Sequence, residues 1–157
     1  MSARAEALAD RIVQGAEALA TYAEGLSDAQ WGTPSPDGRP VGVVVHHVAN
    51  VYPLEVDVAL MLADGKRVDA TWDDIHTMNA GHAEEFADVS KEDAIAHLRS
   101  KSAEAAERVR KMTDAQLDGA ATLALYNDAT LTAQFFIEDH PVRHSLHHLA
   151  KIKQVTQ

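Results

Sequence analysis

Asp139-His-Pro-Val-Arg-His-Ser-Leu-His-His-Leu-Ala-Lys-Ile152 carries four of the nine histidines in this 157-residue chain: His140, His144, His147 and His148. Residues four apart on an α-helix point the same way, one turn apart. His144 and His148 therefore form a pair able to grip one metal ion. Two imidazoles leave such a site incomplete, and the third ligand is sought upstream. Residues 41–63 read as a helix whose seam is Val44, His47, Val51, Leu54, Val58 and Met61, spaced by three and four. His47 is the one polar member, so it is expected in the buried seam. Its neighbour His46 is expected to point roughly 100° away, with Gly42 and Asn50 one turn either side. Pro53 removes one backbone hydrogen bond and predicts a bend near Ala49.

His147 sits four residues from both Arg143 and Lys151. Cationic neighbours oppose metal binding, which places His147 on the rim. His47, His144 and His148 would instead make a three-nitrogen face with open positions for water or substrate. A structural zinc site is closed by four protein ligands, so this pattern is of the catalytic kind. Glu138, Asp139 and His140 are candidates to orient a ligand imidazole from behind. Glu55, two turns past His47, is a further one. Each histidine alone has a bland reading, as a hydrogen-bonded core residue or a surface feature. The argument rests on the combination of a seam histidine with an i, i+4 pair. His76, His82 and His97 look unpaired and read as ordinary surface residues.

The remaining periodicity gives an all-α chain. Residues 3–26 form an amphipathic helix through Leu8, Ile12, Leu19, Tyr22 and Leu26. Ser27-Asp-Ala-Gln30 and Thr113-Asp-Ala-Gln116 are capping boxes. Trp31 is expected to pack under the turn-rich stretch Thr33–Pro40. A helical piece is expected over Thr71–Glu85, and Ser90 caps a helix from about Lys91 to Met112. Residues 117–129 read as a loop, with a turn at Tyr126-Asn-Asp128. The fourth long helix spans roughly 130–154, kinked or restarted at Pro141. Four long helices with apolar seams predict a four-helix bundle, and the whole of 1–157 reads as a single domain.

Composition narrows the function. The formal charge is −10 with histidines neutral, and the fourteen basic residues are scattered. An acidic surface repels a phosphate backbone, so nucleic acid is not an expected partner. No apolar run approaches the roughly 20 residues that span a bilayer, and the N-terminus lacks a secretory pattern. No membrane partner and a cytoplasmic location are expected. Cysteine is absent, which removes thiolate ligands and leaves imidazole and oxygen for any transition metal.

These motifs resemble the DinB/YfiT-like superfamily, which includes relatives of the mycothiol-dependent maleylpyruvate isomerase. The similarity rests on His47-Val48-Ala49 in the second helix and on His144-Ser-Leu-His-His148-Leu149-Ala-Lys-Ile152 near the end. Leu26-Ser-Asp-Ala-Gln-Trp31 ahead of a Pro/Gly loop and Asn79 ahead of the third long helix add to it. The resemblance covers about residues 5–154. It implies a four-helix bundle of up-up-down-down type that forms homodimers. It also implies a divalent ion, zinc or nickel, held by the residues matching the motif: His47, His144 and His148. Family members include transferases that use a low-molecular-weight thiol such as bacillithiol or mycothiol. His140 and Pro141 lie outside the core pattern. No separate C-terminal domain is seen, a departure from the full isomerase.

The expected function is therefore a metal-dependent enzyme acting on a small molecule, either a thiol-dependent transferase or isomerase, or a hydrolase. Without cysteine, a thiol nucleophile would have to come from a cosubstrate. The competing reading is a non-catalytic, stress-linked binding or dimerisation module with a vestigial or structural site. A di-iron bundle would want several inward glutamates and Glu-x-x-His spacing, which the relevant faces do not offer.

Overall fold

A computed structural model describes residues 2–157. The first long helix, α1, runs Ala3–Glu24 and is capped by the Ser2 side chain. A single turn, α2 (Asp28–Trp31), follows with the expected capping box between Ser27 and Gln30. The second long helix, α3 (Val41–Ala63), passes through Pro53 without interruption. Helix α4 (Trp72–Glu85) opens on a Thr71–Asp74 capping box, and α5 (Lys91–Arg110) on Ser90. The Thr113–Gln116 box opens the short α6 (Asp114–Asp118).

Residues 117–129 are not simply a loop. β1 (Ala120–Leu123) and β2 (Ala129–Thr132) pair antiparallel, with Ala121 opposite Leu131 and Leu123 opposite Ala129. A 3₁₀ turn at Ala124–Tyr126 joins them, and Asn127 and Asp128 take left-handed φ of 54° and 61°. Asn and Asp tolerate that conformation best after glycine, so the Tyr126-Asn-Asp128 turn read from sequence closes a hairpin. The strands are four residues each and partly composed of alanine and threonine, too short for a period-2 signal to stand out.

The fourth long helix is built in three pieces: α7 (Ala133–Ile137), a π turn at Glu138–Val142, and α8 (Arg143–Thr156). Pro141 explains the middle piece. It has no N–H for the i−4 carbonyl, and its ring crowds that carbonyl, so the ladder widens to i−5 for one turn rather than breaking.

Side-chain pairs fix the helix directions. Arg99 bonds Glu17 and Glu24 while Arg110 bonds Glu6 and Asp10, so α1 and α5 are antiparallel. His46 stacks on His97 and Asp57 pairs with Arg108, so α3 and α5 are parallel and in register. Arg4 reaches Gln134 and Tyr22 reaches Thr156, so the fourth helix runs with α1. The order is up-down-down-up, which corrects the up-up-down-down order implied by the resemblance. The parallel step from α3 to α5 needs a crossover the length of the bundle, and residues 64–90 with α4 supply it.

The apolar seams of α1, α3, α5 and the fourth helix close on a core containing Ile12, Leu19, Tyr52, Leu62, Leu98, Ile137 and Ile152, all essentially inaccessible. Helix α3 is the most deeply placed: every residue from Val41 to Ala49 is buried. Its expected seam needs correction, because Leu54 is 46% exposed and Met61 37% exposed. Tyr52, Glu55, Val56, Ala59 and Leu62 carry the buried face instead. Trp31 packs against Gly42, and its indole N–H donates to Val89 O at 3.1 Å, tying the start of α3 to the start of α5. Among the described residues, no helix is long and apolar enough to cross a membrane.

Candidate metal centre

Helices α3 and α8 run antiparallel and face each other through polar groups. Tyr52 of α3 and Ser145 of α8 share a hydrogen bond, both side chains fully buried. One turn towards the start of α3, His47 meets the α8 pair. Its ring centroid lies 5.3 Å from that of His144 and 5.6 Å from that of His148, while the His144 and His148 rings are 4.8 Å apart. One ring nitrogen from each of the three lies within 4.8 Å of the others. The folded chain thus brings together residues nearly a hundred positions apart.

The surroundings hold His47 and His148 neutral. Burial lowers the His47 pKa to about 3, helped by His144, Arg39 and His82. Burial likewise lowers His148 to about 2, with His144 and His47 next in effect. A neutral imidazole keeps the lone pair that a metal ion needs. The Nδ1 atoms of His47 and His148 are both buried without a hydrogen-bond partner.

His144 differs, because its Nδ1 lies 2.7 Å from Glu55 Oε1. Burial alone would raise the Glu55 carboxyl pKa, but the imidazoles of His144 and His140 overturn that and bring it down to about 2. An ionised carboxylate only accepts, so His144 Nδ1 carries the proton and its Nε2 is left free. Glu55 therefore orients a histidine in the way expected of a carboxylate behind a metal ligand.

The other three candidates for that role separate. His140 stacks on Phe136, its Nδ1 is 3.7 Å from Glu55 Oε1, and its Nε2 is 2.8 Å from Tyr126 Oη. Tyr126 donates its proton to Asp139, so His140 Nε2–H is the donor to Tyr126. Asp139 is thus separated from Glu55 by Tyr126 and His140, and Arg143 also bonds it. Glu138 is corrected outright: it faces away, accepting from Gln134 at 3.2 Å and from Arg11 at 3.5 Å against α1. His147 is half-buried on the rim, edge-on to His148 at 5.2 Å.

Two histidines read as surface residues are not. His82 of α4 is buried; its Nε2 is 2.8 Å from His46 Nδ1 and its ring is 5.7 Å from His47. His97 stacks on His46 at 4.7 Å, and Phe86 also stacks on His46, at 4.0 Å. His46 itself is buried in this stack. Burial depresses the pKa of His46 to about 4 and lowers those of His82 and His97. His76 lies beside Trp72 on the open face of α4 and joins neither group.

Comparison with known proteins places this arrangement. A family model described as the DinB superfamily matches residues 11–152. The chain belongs to the DinB superfamily. The solved structure of YfiT from Bacillus subtilis aligns over 98% of this chain and 87% of its own, with a TM-score of 0.77 at 19% identity. YfiT is described as a probable metal-dependent hydrolase with an unusual four-helix bundle topology. No curated protein matches the sequence significantly.

Within this DinB-superfamily chain, the groups that motif reading underrated are Glu55, Tyr126 and His82. Glu55 had a visible signal: a carboxylate among the otherwise apolar residues of α3 facing the bundle. His82 had one only in hindsight of the crossover, since nothing local says that α4 lays its inner face over His46 and His47.

Proposed function

We propose that this chain is a divalent-metal-dependent hydrolase whose ion is held by His47, His144 and His148. The observation that carries the reading is the convergence of three imidazole nitrogens from two antiparallel helices, one ring held by a buried carboxylate. The donor set fits zinc or nickel, which accept imidazole readily. The orphaned Nδ1 atoms of His47 and His148 show polar capacity that the protein itself leaves unused, against the rule that buried polar atoms are paired. When bound, the ion would supply Lewis acidity, polarising a carbonyl and lowering the pKa of water.

The protein's own residues set the conditions. Glu55 holds the His144 ring with Nε2 turned to the site. His140 stands 3.7 Å from Glu55, beyond hydrogen-bond distance, and is itself held by Tyr126, which donates to Asp139; Tyr126 stays protonated because burial and Asp139 raise its pKa. Val44 and Val48 of α3 and Leu149 of α8, on the same helices as the three histidines, are buried in the apolar core. Hydrolysis is favoured over transfer of a low-molecular-weight thiol because YfiT, which shares the fold, is described as a probable metal-dependent hydrolase.

The test is elemental analysis of untagged protein. One equivalent of a divalent ion is expected, with loss of stoichiometry in His47→Ala, His144→Ala and His148→Ala. Chelator-sensitive turnover of small acyl esters or amides should disappear in the same variants. Full metal retention in all three would refute the ligand assignment, and metal-replete protein that cleaves no acyl compound but consumes a thiol with an electrophile would refute hydrolysis.

A further inference from the structure

His82 is the one buried residue of α4. An inward position on a crossover helix is ordinarily filled by an apolar side chain, and α4 sends in an imidazole instead. That ring is fastened at one nitrogen, with Nε2 at 2.8 Å from His46 Nδ1. It stands 5.7 Å from the ring of His47, the next residue of α3, with the two planes at 69°. His82 Nδ1 is buried and has no partner in the protein, and the same holds for His47 Nδ1.

In His144 the nitrogen turned away from the site is Nδ1, held by Glu55. In His47 the enclosed nitrogen is again Nδ1. An imidazole that binds an ion through Nε2 carries its proton on Nδ1, and that N–H is almost always given to an acceptor behind the ligand. Glu55 is the acceptor for His144, whereas His47 has none on its own helix or on α8. Asn79 Oδ1 is a third enclosed atom without a partner, one turn before His82 on the same face of α4. Proton ordering makes the three complementary. When His82 Nε2–H donates to His46 Nδ1, His82 Nδ1 is left as an acceptor. One donor and two acceptors are what a single water satisfies, accepting once and donating twice. Ring centres 5.7 Å apart suit such a bridge, made of two bonds of about 2.8 Å each.

We propose that His82 is a positioning residue for the metal centre: through one bridging water its Nδ1 accepts the Nδ1–H of His47, fixing that ring with Nε2 towards the ion as Glu55 fixes His144. This rests on the metal-dependent reading above. The crossover helix then has a chemical task, because it supports from outside a site whose ligands lie on α3 and α8.

Asparagine and glutamine divide the two nitrogens of His82: an Asn amide oxygen reaches the place of Nδ1, and a Gln amide group that of Nε2. Chelator competition reads the zinc affinity of each variant. His82→Gln keeps the link to His46 and loses the acceptor, so it should weaken zinc roughly 10- to 100-fold. His82→Asn keeps the acceptor and should stay close to wild type. A role confined to anchoring α4 through His46 gives the reverse order, and that result overturns the proposal. So does equal affinity in wild type and His82→Gln, or a loss in Asn79→Ala larger than that in His82→Gln. Imidazole nitrogen NMR of the zinc-loaded wild type gives a reading that no variant's folding can obscure: His47 should be bound through Nε2, with a slowly exchanging Nδ1–H. Ligation of His47 through Nδ1 overturns the proposal and leaves the metal reading standing. Wild-type protein that takes up no zinc overturns the metal reading and this inference with it.

Discussion

Glu55 Oε1 and His144 Nδ1 meet at 2.7 Å across the interface of two antiparallel helices, both largely withdrawn from water. A buried carboxylate is costly unless paired, and here the pairing also fixes which imidazole nitrogen is free. Glu55→Gln keeps the shape but turns a two-lone-pair anion into an amide that must choose an orientation. The expected outcome is a fold close to wild type and a metal affinity weakened by roughly 10- to 100-fold. Competition with a fluorescent chelator measures it. Unchanged affinity would mean that Glu55 merely fills space behind His144.

Acid should destabilise the metal-free protein early. His47 and His148 have folded-state pKa values of about 3 and about 2, against an ordinary 6.5. Below pH 6.5 the unfolded chain takes up these protons and the folded chain does not. Stability is therefore unaffected above that pH and falls as pH drops below it. Glu55 adds to the loss below about 4.5, because its folded pKa of about 2 lies under the unfolded value. At pH 5 each of the two histidines costs roughly 2 kcal/mol. Urea midpoints of chelator-treated protein at pH 7 and pH 5 read this directly. Replacing His148 by leucine should flatten the drop, and a midpoint that does not move between the two pH values would contradict the burial argument.

How much of this was readable from residues alone follows from the length scale of each signal. The i, i+4 pair of His144 and His148 is local, so helical geometry places both rings together whatever the fold does. His47 required only that α3 face α8, which a family resemblance supplies and periodicity does not. The seam of α3 was misjudged at Leu54 and Met61 because the helix is apolar on nearly every side, so spacing by three and four cannot choose a face. His46, His82 and His97 belong to three different helices. Their meeting depends on the parallel crossover of α4, a tertiary fact without any local trace. The π turn at Pro141 is intermediate: proline predicts a disturbance, and only packing decides between a break and a widened turn.

The buried Tyr52–Ser145 hydrogen bond offers a test of how α3 and α8 are held together independently of any metal. Neither side chain reaches solvent. Tyr52→Phe strands the Ser145 hydroxyl in an apolar core and should cost about 1–2 kcal/mol. Adding Ser145→Ala removes the stranded group, so the double variant should recover part of that loss. A double-mutant cycle in urea gives the coupling, expected at about 1 kcal/mol or more. Additive effects would show that the two hydroxyls do not depend on each other.

Removal of the ion should loosen the same interface from its other end. The proposed ligands lie on α3 and α8, so a bound ion would cross-link two helices that the chain separates by residues 64–142. An ion present at a thousand times its Kd stabilises the folded state by about 4 kcal/mol. For a chain of this size that corresponds to roughly 10 °C in Tm. Scanning calorimetry of metal-loaded and chelator-treated protein should show such a drop, reversed by adding zinc. His47→Ala should melt at one temperature with or without chelator, because it has no ion to lose. Equal chelator sensitivity in wild type and His47→Ala would place the stabilising ion elsewhere on the molecule.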